Sequence, residues 1–255
     1  MPKLPSKFNK VSKLLRHKWV GVVGLSLFVL AAFFLVQYAL AFGLTLVMGD
    51  QLSRLIDDAM FVTVLMAVAQ ALVLVIVIGV PYYFFKVKTS TKELGMDRLP
   101  SWSDILLAPA GFIAYFALAA LITAAAMLVL SDDIMRQAQD VGFNRLTTNI
   151  DFVLAFVSLV VIVPIVEEII FRGYLFGKLK KHVPVLVAAL MTSIIFSVAH
   201  GQINVGLNVF ALSMVACYLR ELTDSIWPAV LLHMIKNGIA FYFVFANPAL
   251  LHMIG

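Results

Sequence analysis

Charge is what this sequence has least of. Only 13% of its 255 residues are Asp, Glu, Lys or Arg, against roughly 25% in an average soluble domain. Beside 62% hydrophobic residues, that scarcity excludes a disordered chain and an ordinary water-soluble globule. Cysteine is scarcer still. Cys217 stands alone, so an intrachain disulfide framework and a Cys-x-x-Cys metal site are both excluded. There is no internal repeat of fixed period, no low-complexity tract and no His-Glu-x-x-His zinc motif. Acidic residues are missing from positions 1–18, which hold Lys3, Lys7, Lys10, Lys13, Arg16 and Lys18.

What is present is apolar sequence in long runs, and an all-α fold follows: a polytopic transmembrane helical bundle of about seven spans. The expected spans are 19–48, 60–85, 105–130, 152–177, 184–202, 205–221 and 225–246. The first is longer than a bilayer needs and has no cleavage pattern after it, so it is a span that tilts or protrudes, not a signal peptide. The organisation expected is a basic cytoplasmic tail at 1–18, three N-terminal spans within 19–130, an external loop at 131–151, a polar membrane core at 152–246 and a short tail at 247–255. The external loop carries Asp132, Asp133, Asp140 and Asp151 and has room for a short surface helix. Segment 86–104 is the main polar linker inside, with Trp102 as a headgroup anchor.

Orientation follows from the basic residues. Lys86, Lys88, Lys92, Arg98, Arg172, Lys178, Lys180, Lys181 and Arg220 fall on the same side as the basic tail, while Arg54, Arg136 and Arg145 fall on the other. The cation-rich side is cytoplasmic by the positive-inside rule, and the C-terminus is then external. The short loops suit a bacterial plasma membrane. The tail reads as an orientation signal against anionic lipid. No aromatic residues interleave with it as nucleic-acid binding would require, so the expected partners are the bilayer and a membrane-associated peptide or protein.

Ionisable side chains deep in hydrocarbon are costly and face a polar cavity where function needs them. Here they gather after residue 150, in Glu167-Glu168-Ile-Ile-Phe-Arg172, in Phe196-Ser-Val-Ala-His200 and in His233-Met-Ile-Lys236-Asn237. Taken singly, each has a structural reading: a solvated helix end, or interhelical hydrogen bonding. Glu168 and Arg172 stand at i, i+4 with the acid first, the favourable order for an ion pair. Glu167 points about 100° away and is free to face something else. Counted from the cytoplasmic span ends at 1.5 Å per residue, Glu167, His200 and His233 lie roughly 15, 20 and 12 Å deep. Three helices thus bring carboxylates, imidazoles and an amide to one level, reachable from the cytoplasm. A carboxylate there can take a proton from water, and N–H donors can stabilise an oxyanion. The same groups could bind zinc. Lys236 is placed as a cavity-lining residue in preference to one that snorkels.

In this order and spacing, the three motifs resemble the CAAX prenyl endopeptidase and bacteriocin-processing family, also called CPBP or Abi, whose pattern is EExxxR, FxxxH and HxxxN or HxxxD. The resemblance covers residues 150–240. It implies an intramembrane endopeptidase with a cavity open to the cytoplasm. Glu167 then matches a general base working with His200, and His233 with Asn237 matches the oxyanion-stabilising pair. Glu168 and Arg172 match the supporting carboxylate and its partner, and Phe196 shapes the pocket. A metal-free glutamate mechanism is preferred, with no cofactor; the zinc alternative would use Glu167, His200 and His233. The substrate is expected to be membrane-associated, either a prenylated CAAX-type protein or a leader or bacteriocin-related peptide. Two other functions are open to the sequence: a non-enzymatic immunity or scaffold protein of the Abi type, and a proton-coupled transporter.

Overall fold

The computed structural model describes residues 18–137, 139, 141–143 and 146–247. The basic tail through Arg16, Asp140, Arg145 and the end of the chain from residue 248 lie outside the described residues. Among those described there is no β-strand. The chain forms α1 (Lys18–Met48), α2 (Ala59–Phe85), α3 (Trp102–Ala126), α4 (Asn149–Leu179), α5 (Val185–Ala199), α6 (Ile203–Thr223) and α7 (Trp227–Ala246). Six of these are long and apolar enough to cross a membrane, and α5 is a shorter apolar helix. Uninterrupted helix is what such a sequence must adopt in lipid, where every backbone N–H and C=O has to be satisfied internally.

The sequence expectation of a full span at 184–202 is revised by α5. Its 15 residues rise about 22 Å, short of the roughly 30 Å hydrocarbon core. Gly201 ends it by adopting φ +71° immediately after His200, a left-handed conformation that glycine enters without a Cβ penalty.

Local polar groups fix the other ends. Asp58 accepts from the Phe61 amide at the start of α2. Ser101 with Asp104, and Thr148 with Asp151, form reciprocal capping boxes at the starts of α3 and α4.

Linkers knit two opposite faces. On one, the Trp227 indole donates to the Arg98 carbonyl, the Ile226 amide to Gly95, and Arg220 to the Glu93 carbonyl. Lys178 and Lys181 pair with Glu93, and Lys180 with Glu221. Gly95 is obligatory there: it has φ +74°, and a Cβ would stand 2.7 Å from the Arg220 guanidinium carbon. On the other face, the Asn204 amide donates to the Met135 and Gln137 carbonyls, tying the segment after α3 to the start of α6. That segment contains the short helix Asp132–Met135.

Helix α4 is the centre of the bundle, packed by α1, α2, α5, α6 and α7. From Glu167 to Gly177 every residue is buried. It is not a uniform α-helix. Val157–Ile162 and Ile169–Phe176 are π-helical, and Val163–Glu168 between them is α-helical. Pro164 cannot donate to the preceding turn, and the wider π geometry accommodates the lost bond. Such turns recur at functional sites. The outer surface is apolar, with Leu35, Phe42, Leu46, Phe116 and Leu121 all exposed, as lipid contact demands.

Candidate functional site

Glu167 and Glu168 stand between the two π-helical stretches of α4 and are buried. Their side chains diverge. Glu168 Oε1 accepts from Arg172 at 2.8 Å, with both side chains fully buried. The same oxygen lies 2.9 Å from His233 Nδ1. An ionised carboxylate only accepts, so Nδ1 carries the proton and Nε2 is left to face the opposite way. There it stands 3.9 Å from Glu167 Oε2. One imidazole thus lies between the two acids, with Arg172 behind the second.

Glu167 has a further neighbour, Gln70 of α2, whose side-chain amide interacts with its carboxyl group. Sequence reasoning missed this residue because it looked for ionisable groups. The available signal was that Gln70 is the one amide in the apolar run Ala59–Phe85. Helix α2 therefore takes part in the site together with α4, α5 and α7.

His200 occupies the C-terminal end of α5, and its Nδ1 lies 2.8 Å from the Phe196 carbonyl. A carbonyl accepts, so Nδ1 holds the proton and Nε2 is free to accept. Phe196 is the hub of the site. Its ring meets His200 edge-on at 4.7 Å, His233 at 6.1 Å and Phe171 at 4.6 Å, and the Arg172 guanidinium lies 4.6 Å from its centroid. A delocalised cation over an aromatic face is held electrostatically as well as by its ion pair.

His233 Nε2 comes within 3.9 Å of Glu167, and the His200 ring is packed against Phe196. Asn237 donates to the Leu159 carbonyl at 2.8 Å, within the first π-helical stretch. One of its two N–H groups is thereby used to hold α7 against α4.

Lys236 lines a cavity of about 280 Å³ with Thr123, Gln139, Asn204 and Asn208. The cavity wall also includes Met135, from the segment joining α3 to α4. This cavity lies toward the face opposite the basic linkers, where Asn204 ties the segment after α3 to the start of α6.

Among the described residues no group of three His, Cys, Asp or Glu side chains is placed to hold a metal ion, Glu167, His200 and His233 included.

Residues 149–239 match the family model described as Type II CAAX prenyl endopeptidase Rce1-like. The stretch holds all three polar motifs. A Bacillus subtilis (strain 168) protein named "Putative membrane peptidase YdiL" is 34% identical over 74 residues, 29% of this chain and 30% of that protein. The chain thus spans under a third of the length of the curated relative it matches. No solved structure matches it.

Proposed function

We propose, from the match of residues 149–239 to the Rce1-like endopeptidases, that this chain is an intramembrane endopeptidase cleaving a membrane-associated peptide or protein with a water molecule activated by Glu167. The observation that carries this reading is the line Arg172–Glu168–His233–Glu167, with contacts of 2.8, 2.9 and 3.9 Å. It has the logic of a catalytic triad: a buried acid orients an imidazole whose far nitrogen faces the reacting group.

In this mechanism Glu167, steadied by Gln70, takes a proton as water attacks the scissile carbonyl. His233 Nε2 faces Glu167 and can share that proton. The imidazolium so formed is stabilised by Glu168, as the geometry of Nδ1 requires. The proton then passes to the leaving amine as the C–N bond breaks, so none is consumed. The remaining N–H of Asn237 supports the oxyanion. No step passes through a metal.

The membrane proposed is a bacterial plasma membrane with the basic linkers in the cytoplasm. The cavity beside Lys236 then opens toward the outer side, which favours exported leader-type peptides over cytoplasmic prenylated ones.

The test is cleavage of a membrane-peptide library by the purified protein, with and without chelator, beside Glu167→Gln. We expect cleavage that survives chelation and falls by about 10²-fold or more in the variant, the usual contribution of a general base. A Glu167→Gln protein of full activity rejects the mechanism. A protein that cleaves nothing while still conferring its cellular phenotype returns the chain to the immunity or scaffold class.

A further inference from the structure

Lys236 is not explained by the hydrolytic set. It stands nine residues from Trp227 and ten from Ala246 on α7, so it is roughly 14 Å from either end of the helix. That is farther than its stem can carry an ammonium to water by snorkelling. At this depth a lysine needs a partner or a polar cavity. Among the described residues no carboxylate lies within 4.0 Å of it, and it makes no hydrogen bond. Its electrostatic interactions run to Glu167, His200 and His233, which sets it beside the site. It follows His233 by three residues and so shares a helix face with it.

The cavity in front of it is polar where Lys236 enters. Asn208 has its carbonyl oxygen occupied by the Tyr115 hydroxyl at 2.8 Å, which turns its two amide N–H donors elsewhere. Neither has an acceptor among the described residues. Asn204, by contrast, is spent: it donates to Met135 and Gln137 and accepts from the Val205 amide. What remains is an ammonium, the Asn208 and Gln139 amides and the Thr123 hydroxyl on one cavity of about 280 Å³, each able to donate. A cation flanked by N–H and O–H donors is the complement of a carboxylate.

We propose that Lys236 and Asn208 form an anion subsite that binds a carboxylate of the substrate peptide, terminal or side-chain, and so set which peptide bond reaches Glu167. The proposal rests on the hydrolase reading for its role and on the cavity alone for its chemistry. Lys236 is then a specificity residue. An anion held one helical turn from His233 fixes the register of an extended chain, whose residues advance about 3.3–3.6 Å each.

The test uses the purified full chain and a fluorescein-labelled apolar heptapeptide in three forms: free acid, C-terminal amide, and amide with one Asp near its C-terminus. Equilibrium binding is read by anisotropy and turnover by fragment release. The free acid, the Asp peptide or both are expected to bind about tenfold or more tightly than the neutral amide, the scale of one charge-assisted hydrogen bond. The two acidic arms identify the source of the carboxylate. Lys236→Met should abolish that preference, raising KM for the acidic peptide about tenfold more than for the neutral amide, and Lys236→Arg should restore it. Equal binding of all three peptides to the wild-type protein overturns the subsite. So does a Lys236→Met effect of the same size on charged and neutral peptides, which would make the lysine a partner of Glu167 alone. Binding is read separately from turnover, so a protein that discriminates carboxylates without cleaving them fails the hydrolase reading and keeps the subsite.

Discussion

Arg172 shows what burial does to a single side chain. Its side chain is fully buried, and its charge is held by Glu168 on one side and the face of Phe196 on the other. Removing one member of such a pair leaves the other charge uncompensated in low dielectric, at a cost of about 3–5 kcal/mol. Arg172→Met should therefore lower the melting temperature of the detergent-purified protein sharply. The double variant Arg172→Met with Glu168→Gln should recover much of the loss, because neither charge is then stranded, while remaining impaired in cleavage because His233 has lost an ionised acceptor. A double variant no more stable than the single one would show that the pair is not coupled. The i, i+4 spacing made this ion pair legible in the sequence. The contact between Glu168 and His233, 65 residues away, was not legible, since nothing local to either residue specifies it.

At the scale of elements, the short helix Thr91–Leu94 acts as a clasp on the basic face. Ser90 and Glu93 cap it reciprocally, and it lies on the Gly173 and Gly177 side of α4, where a Cβ on Gly173 would meet the Leu94 carbonyl at 3.0 Å. Glu93 also receives Lys181 at 2.5 Å and Lys178 at 3.4 Å. The Lys181 hydrogen bond, more than the Ser90 cap and the charge of Lys178, holds the Glu93 carboxyl down at about 2, well below its ordinary 4.5. A depressed carboxyl stabilises the fold fully above its unfolded value and ceases to do so as pH falls toward the folded one. The clasp should thus weaken between pH 4.5 and 2. The groups are partly exposed, so solvent screening keeps the contribution to about 1 kcal/mol or less. Melting curves between pH 6 and 3 should show Glu93→Gln with a shallower acid dependence than wild type, and parallel curves would refute the assignment. Helix α4 teaches a related lesson. Its length was evident from hydropathy, but its π-helical stretches depend on how Pro164, Asn237 and the packed neighbours share backbone partners, which a count of apolar residues does not report.

For the whole molecule, the proposed orientation turns the basic face toward the cytoplasm. The two sets of linkers lie on opposite faces, with the basic residues Lys178, Lys180, Lys181 and Arg220 on one and the segment after α3 on the other. Cys217 is buried, so introduced cysteines report cleanly. In right-side-out vesicles a membrane-impermeant maleimide should label Asp133→Cys and Gln139→Cys and leave His182→Cys untouched until the membrane is permeabilised. The reverse pattern inverts the proposed orientation and returns the Lys236 cavity to the cytoplasm.

The sequence by itself determined that the chain is a membrane bundle, where its helices run, and which polar motifs are out of place in hydrocarbon. These follow from transfer free energies and helical geometry, which act residue by residue along the chain. Only the tertiary structure decided that His233 stands between Glu168 and Glu167, that Gln70 of α2 lies beside them, and that the cavity at Lys236 lies opposite the basic linkers. Those outcomes depend on how α2, α4, α5 and α7 rotate and stack, and contacts between residues far apart in sequence are fixed by packing rather than by periodicity.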